Sequence, residues 1–256
     1  MTRGARSAAS PLPTGTRVGT VRSRPSRRRA ALAGALAGVL GPAAFTAAWI
    51  AAAFRQTGLA FAAPQISGLA ADDARDPWLM ISGFVVLGGC AIGFGTALRG
   101  ALGGRRSGPG PRLMQAAGVL TIAAGLLRRD HVLLTTGPES WHNHAHDIVS
   151  ALVYLLLVGV PLLLARRFSS DQRWRGLTVP LVASSVASAA LLVAFYSSPG
   201  NSWDATLQRI AVSLPLAAIV AVAIRLARLA GSPSPASPLD ADSGGDAHPA
   251  RPRQPE

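Results

Sequence analysis

Long apolar runs separated by short polar ones set the pattern of this chain. The runs are rich in alanine, leucine, valine and glycine and nearly free of charge. They extend over Ala30 to Phe54, Trp78 to Leu98, Leu113 to Leu127, Ile148 to Ala165, Leu177 to Tyr196 and Leu207 to Ile224. A helix rises about 1.5 Å per residue, so about 20 apolar residues cross the roughly 30 Å of bilayer hydrocarbon. The pattern therefore predicts an all-α membrane bundle of six transmembrane helices, one domain over residues 30–228. The third run is short as written. It would have to borrow from its flanks, for instance His131 to Leu134 beyond the polar step Arg128-Arg129-Asp130.

Composition agrees with this reading. The chain is 49% hydrophobic and 14% charged, with a mean hydropathy of +0.32, too apolar for an ordinary soluble domain of this length. There is no lysine, and the net charge of +13 comes from 25 arginines against 12 acids. A nucleic-acid protein would spread such charge over a folded surface. Here the arginines fall between apolar runs, so no nucleic-acid partner is expected, and membrane lipid is.

Counting arginines by loop orients the chain. Residues 1–29 carry eight and no acid. Arg99, Arg105, Arg106 and Arg112 follow the second run, Arg166, Arg167, Arg173 and Arg175 the fourth, and Arg225, Arg228, Arg251 and Arg253 the sixth. The opposite loops hold only Arg55, Arg75, Arg128 and Arg129, and Arg209 lies near the start of the sixth run. Both termini are thus expected in the cytoplasm of a cell-membrane protein, with three loops outside. Trp78, Trp141, Trp174 and Trp203 fall at predicted helix ends, the level that indole rings favour.

The tails, residues 1–29 and 229–256, are rich in Pro, Ser, Gly and Ala and poor in large apolar residues, and are expected to be disordered. Ser26-Arg27-Arg28-Arg29 before an apolar run resembles a twin-arginine signal, but that run is too long for a signal core and five more follow. Cys90, alone inside an apolar run, reads as a small hydrophobe. Glycines such as Gly34, Gly38, Gly41, Gly83, Gly88 and Gly93 permit close helix packing in lipid. Pro161, Pro180 and Pro215 are tolerable if neighbours satisfy the backbone they interrupt.

Candidate chemistry gathers on the predicted outer side: Asp72, Asp73, Arg75 and Asp76; Arg128, Arg129, Asp130, His131 and Glu139; Asn201 and Asp204; and above all the stretch WHNHAHD, Trp141 to Asp147. If extended, that stretch puts His142, His144 and His146 on one face. If it opens the fourth helix, His142, His146 and Ser150 align at successive turns. Three neutral imidazoles suit zinc, with Asp147, Asp130 or Asp76 as a further ligand or a ring-orienting group. Alternatively His146 is a general base, Asp147 or another acid holds its tautomer, and Ser150 lies one turn deeper. Against both stands the plain reading of a wet helix rim, with Asp147 favouring the positive end of the helix dipole. Arg128, Arg129 and Asp130 are costly intramembrane charges if the third helix runs through them, and a loop with an ion pair of little consequence if it stops at Leu127.

Taken together, Ile66-Ser67-Gly68-Leu69 before the second run, that run ending GFGTALRG, a third run ending near Asp130, and His146-Asp147 with Ser150 opening the fourth resemble the actinobacterial six-helix membrane proteins of domain-of-unknown-function family 998. The resemblance covers most of residues 30–228 and implies architecture more than activity. It is more distantly similar to six-span eukaryotic proteins tied to lipid-anchor remodelling. His142 and His144 are not part of the family pattern.

Two function classes follow. One is a multi-pass membrane protein whose polar outer mouth binds a lipid headgroup or small ligand, with Asp76 and Asp130 as ligand contacts. The other is a membrane-embedded, metal-dependent hydrolase or transferase acting on lipid, with His146, Asp147 and Ser150 catalytic and His142, His144 and His146 as zinc ligands. No cofactor other than that zinc is expected. The near absence of ionisable residues within the runs argues against a transporter.

Overall fold

In the computed structural model the described residues are 24–133, 138–197, 199 and 202–232. They form six α-helices: α1 Arg24–Arg55, α2 Pro77–Ala101, α3 Gly110–Leu126, α4 Trp141–Ser169, α5 Thr178–Ser197 and α6 Asp204–Gly231. Each helix packs on its neighbour in sequence and α6 returns to pack on α1, which closes the bundle into a ring. The first helix starts six residues before the expected span and takes in Ser26-Arg27-Arg28-Arg29. The remainder of both tails, and Asn201, lie outside the described residues.

Five of the helices, all but α3, are long and apolar enough to cross a membrane. Their outward faces carry large apolar side chains, among them Leu36, Phe54, Val86, Leu155, Val186 and Val193. Such a girdle would be a liability in water and is the natural surface in lipid.

α3 has 17 residues, about 25 Å of helix, which is some 5 Å short of the hydrocarbon thickness. The helix does not extend through His131 to Leu133, and Leu134 lies outside the described residues. α3 stops at Leu126, and Arg128-Arg129-Asp130 form a loop folded onto the end of the bundle. α3 fits tightly against α2 because neither helix has a side chain at the crossing. A Cβ on Gly88 would collide with the carbonyl oxygen of Gly118, and one on Gly118 with that of Gly88.

The arginine-rich ends of the helices meet at one end of the ring. Arg28 Nε donates to the carbonyl of Ala230 at 3.1 Å, and Arg225 Nε to that of Arg173 at 2.8 Å. Trp174, expected at the headgroup level, is instead buried here at 2% exposure and stacked on Phe168. The cause is the turn after α4, which folds back and inserts the ring between helix ends. Trp78, Trp141 and Trp203 are 64–75% exposed, as the expectation had it.

The opposite end is closed by the segment between α1 and α2, whose one-turn 3-10 helix Gly68–Ala70 is buried. Arg209 of α6 is 7% exposed and holds that segment. It donates to the carbonyls of Phe61 and Pro64, both at 2.9 Å, with Trp49 and Phe61 stacked over its guanidinium.

The buried apolar side chains fall into two clusters, one at each end. Phe94, Leu98, Phe168, Trp174 and Leu226 belong to the first, and Phe45, Leu69, Met80 and Phe84 to the second. Between them lies an apolar cavity of about 120 Å³. Pro42, Pro161 and Pro215, the mid-helix prolines of α1, α4 and α6, all line it. Proline removes the helix N–H owed to the carbonyl four residues earlier. For Pro215 that carbonyl belongs to Ala211, and the buried Ser188 of α5 donates to it at 2.7 Å.

Candidate functional site

The WHNHAHD stretch is helical throughout. Ser140 caps α4, its side chain accepting from the backbone N–H of Asn143. Asp147 therefore sits in the second turn and not at the cap, and the extended three-histidine geometry does not form. Helical spacing separates the histidines. His144 is exposed and faces Glu139 at 3.4 Å. His142 Nδ1 faces the carbonyl of Arg128 and the hydroxyl of Ser140 at 3.1 and 2.9 Å. His146 turns inward and is 2% exposed.

The cluster of potential metal ligands among the described residues is a different set: Asp72, Asp130 and His142. Its charges already have partners. Asp72 pairs with Arg128 at 2.9 Å, and Asp130 accepts from both the backbone N–H and the hydroxyl of Ser140 at 2.7 and 2.6 Å. Those two bonds, first the hydroxyl and then the backbone, hold the Asp130 carboxyl below its ordinary pKa. A cation here would have to displace Arg128. Held this way, the set clasps the loops to one another.

The clasp is more consequential than a surface ion pair. Arg128 also donates to the carbonyls of Ala70 and Ala71, Asp72 N–H donates to the carbonyl of Arg129, and Asp73 accepts from Val132 N–H at 2.6 Å. Gly68 abuts the carbonyl of Val132, where a Cβ would collide. The α1–α2 and α3–α4 segments are thus knitted into one lid. Asp76 lies apart from this. It precedes α2 in the left-handed region at φ 59°, and its carboxylate binds Arg55 at 2.6 Å. Neither Asp76 nor Asp130 lines the apolar cavity or the polar one described next.

Beneath the lid is a second cavity, of about 290 Å³, lined by polar side chains: Gln65, Ser67, Arg129, His146, Asp147, Ser150, Tyr154, Asp204 and Gln208 are among them. It brings together the three residues of the general-base reading, His146, Asp147 and Ser150, and leaves out His142. It also adds several that sequence reasoning did not single out.

Arg129 is 7% exposed. Its Nη1 donates to Gln65 Oε1 at 3.0 Å, and its Nε is buried with no partner among the described residues. Gln208 accepts from Ile66 N–H and donates to Tyr154 Oη, both at 2.7 Å. Tyr154 and Gln208 lie inside apolar runs, where an isolated polar residue was the available signal, whereas Gln65 lies in the loop between the first two runs and carried none.

The ring of His146 is fixed from behind. Nδ1 lies 2.9 Å from the carbonyl oxygen of Ala124 and 2.6 Å from that of Leu127. Both belong to the C-terminal turn of α3, whose carbonyls have no helical donor. A carbonyl only accepts, so Nδ1 carries the proton, and in the neutral ring Nε2 is the bare acceptor. Ser150 Oγ lies 3.1 Å from Nε2, one turn on, and donates to it. The tautomer is thus set by backbone carbonyls and not by Asp147, which stands at the cavity mouth, 3.4 Å from Asn143 Nδ2.

A closed ring of six helices, five of them long and apolar, with a girdle of exposed apolar side chains and polar groups sunk at one end, defines a multi-pass membrane protein. The family model described as protein of unknown function, DUF998, matches residues 39–225, and the chain belongs to that family. Comparison with curated proteins and with solved structures gave no match.

Proposed function

We propose that the protein binds a membrane lipid, with the headgroup in the polar cavity and an acyl chain in the apolar one. The observation that carries this reading is that the two cavities share walls. Ser67, Ser150, Tyr154 and Gln208 line both. The combined space is polar at one end and apolar between the helices, the chemistry of an amphiphile. Arg129 supplies a cation for a phosphate or carbonyl oxygen, and Asp147 an acceptor for a hydroxyl or amine at the mouth.

The distribution of arginine supports an orientation with this polar end toward the outer leaflet, because the charged ends of α1, α2, α4 and α6 then lie in the cytoplasm. Binding is tested by purifying the protein in a detergent without lipid-like chains, extracting it, and identifying retained lipid by mass spectrometry. A stoichiometric lipid is expected. Ala117→Phe, which fills the apolar limb from α3, should cut retention at least about fivefold, the loss of roughly 1 kcal/mol of binding. Equal retention by the variant, or no lipid in the wild type, would overturn the reading.

A further inference from the structure

We propose that Ser150 is a nucleophile activated by His146, and that the cavity carries out acyl transfer on an ester-linked lipid. The proposal rests on the lipid-binding reading for its substrate class but on separate observations for its chemistry.

A serine inside a helix ordinarily returns its hydroxyl to the carbonyl four residues earlier, as Thr96, Thr121 and Ser197 do here. The hydroxyl of Ser150 instead faces the bare Nε2 of His146. The imidazole is presented with the other nitrogen protonated and pinned, the arrangement that a general base for a serine requires. In the familiar triad a carboxylate does the pinning. Here the negative end of α3 does it through Ala124 and Leu127. The same carbonyl dipoles favour the imidazolium that forms when the base takes a proton.

Both reacting groups line the polar cavity at its junction with the apolar limb, since Ser150 borders both spaces. A lipid occupying the two would hold its ester, which links headgroup and chain, at this junction. Arg129, in the same cavity and with a buried Nε that has no partner among the described residues, is the donor for the oxyanion.

The steps balance without a cofactor. Ser150 Oγ bonds to the ester carbonyl carbon while its proton passes to His146 Nε2. The bond from that carbon to the alcohol oxygen breaks, and the departing oxygen takes the proton from Nε2. Water then adds to the acyl-serine, giving its proton to Nε2, and the bond to Oγ breaks as Ser150 recovers the proton. The products are a carboxylic acid and an alcohol. A second alcohol in place of water gives transesterification.

The test is covalent labelling of the full-length protein in detergent with two fluorophosphonates, one bearing a long alkyl chain and the small diisopropyl fluorophosphate, with the modified peptide located by mass spectrometry. Labelling at Ser150 is expected with both, absent in Ser150→Ala and slowed at least about 100-fold in His146→Gln, with the label rate in wild type falling as His146 is protonated at acid pH. Lipid retention by the wild type is measured in parallel, and an unchanged elution profile and thermal midpoint in detergent show that Ser150→Ala folds. If the small probe labels Ser150 but no lipid is retained, the nucleophile stands and the lipid reading fails. If lipid is retained and neither probe labels Ser150, or if His146→Gln labels at the wild-type rate, the acyl-transfer proposal is overturned and the binding reading stands.

Discussion

The imidazole of His146 in α4 closes the C-terminal end of α3, with Nδ1 2.6 Å from the carbonyl oxygen of Leu127. The contact joins two consecutive helices across a loop clasped by Arg128, Asp130 and Ser140. Removing the ring leaves the Ala124 and Leu127 carbonyls without that donor, a cost of roughly 1–3 kcal/mol. His146→Ala should therefore lower the thermal midpoint in detergent by several degrees. Ser150→Ala should change it little, because a hydroxyl bonded within the same helix joins nothing else. Equal midpoints for the two variants would mean that the ring does not staple α3 to α4.

Ser188 and Pro215 form a pair that can be dissected. The Ser188 hydroxyl serves the Ala211 carbonyl that Pro215 cannot. Ser188→Ala alone should cost about 1–3 kcal/mol for a buried carbonyl left without its donor. In a Pro215→Ala background the helix N–H returns, and the same serine change should cost well under 1 kcal/mol. The double-mutant cycle measures this coupling directly. An additive cycle would show that the serine does not serve the interrupted backbone.

Asp130 makes stability depend on acid. Its folded carboxyl is held below the ordinary value of 3.8 by Ser140. Its contribution is therefore complete above that value and is lost as pH falls through the lower folded one. Between pH 6 and pH 3 the wild-type midpoint should fall more steeply than that of Asp130→Asn, with the divergence confined to the region below about pH 4. Parallel curves would assign acid sensitivity to other carboxylates.

Orientation is open to labelling. In a Cys90→Ala background, Thr57→Cys lies in the lid segment and Ser170→Cys in the turn after α4, at opposite ends of the ring. An impermeant maleimide added to intact cells should label the first and reach the second only after permeabilisation. The reverse pattern would invert the assignment of the polar cavity to the outer face.

Helix content and placement were readable because apolar run length and bilayer thickness are coupled by simple geometry. Gly88 was readable as a close-packing position, but its partner across the α2–α3 crossing, Gly118, was seen only in the structure. Legibility fell off at the polar end. Arg128-Arg129-Asp130 looked like an inconsequential ion pair, yet one arginine holds the lid and the other is buried in the cavity wall. Trp174 looked interfacial and is a core plug. In both cases the deciding factor was a chain reversal that folds a polar or aromatic side chain inward, and run length carries no information about such a turn.

The sequence by itself determined that this is a helical membrane bundle and that polar residues collect near the head of α4, because hydrophobic period and charge cost are local properties of the chain. Only the tertiary structure decided which of those polar residues meet. It sent His144 to the surface and His142 to the clasp, turned His146 onto the open carbonyls of α3, and brought Arg129 from another loop to the same cavity. Those outcomes depend on where helix ends leave backbone groups unpaired and on which side chain the neighbouring helix can offer. That is a matter of packing between segments distant in sequence.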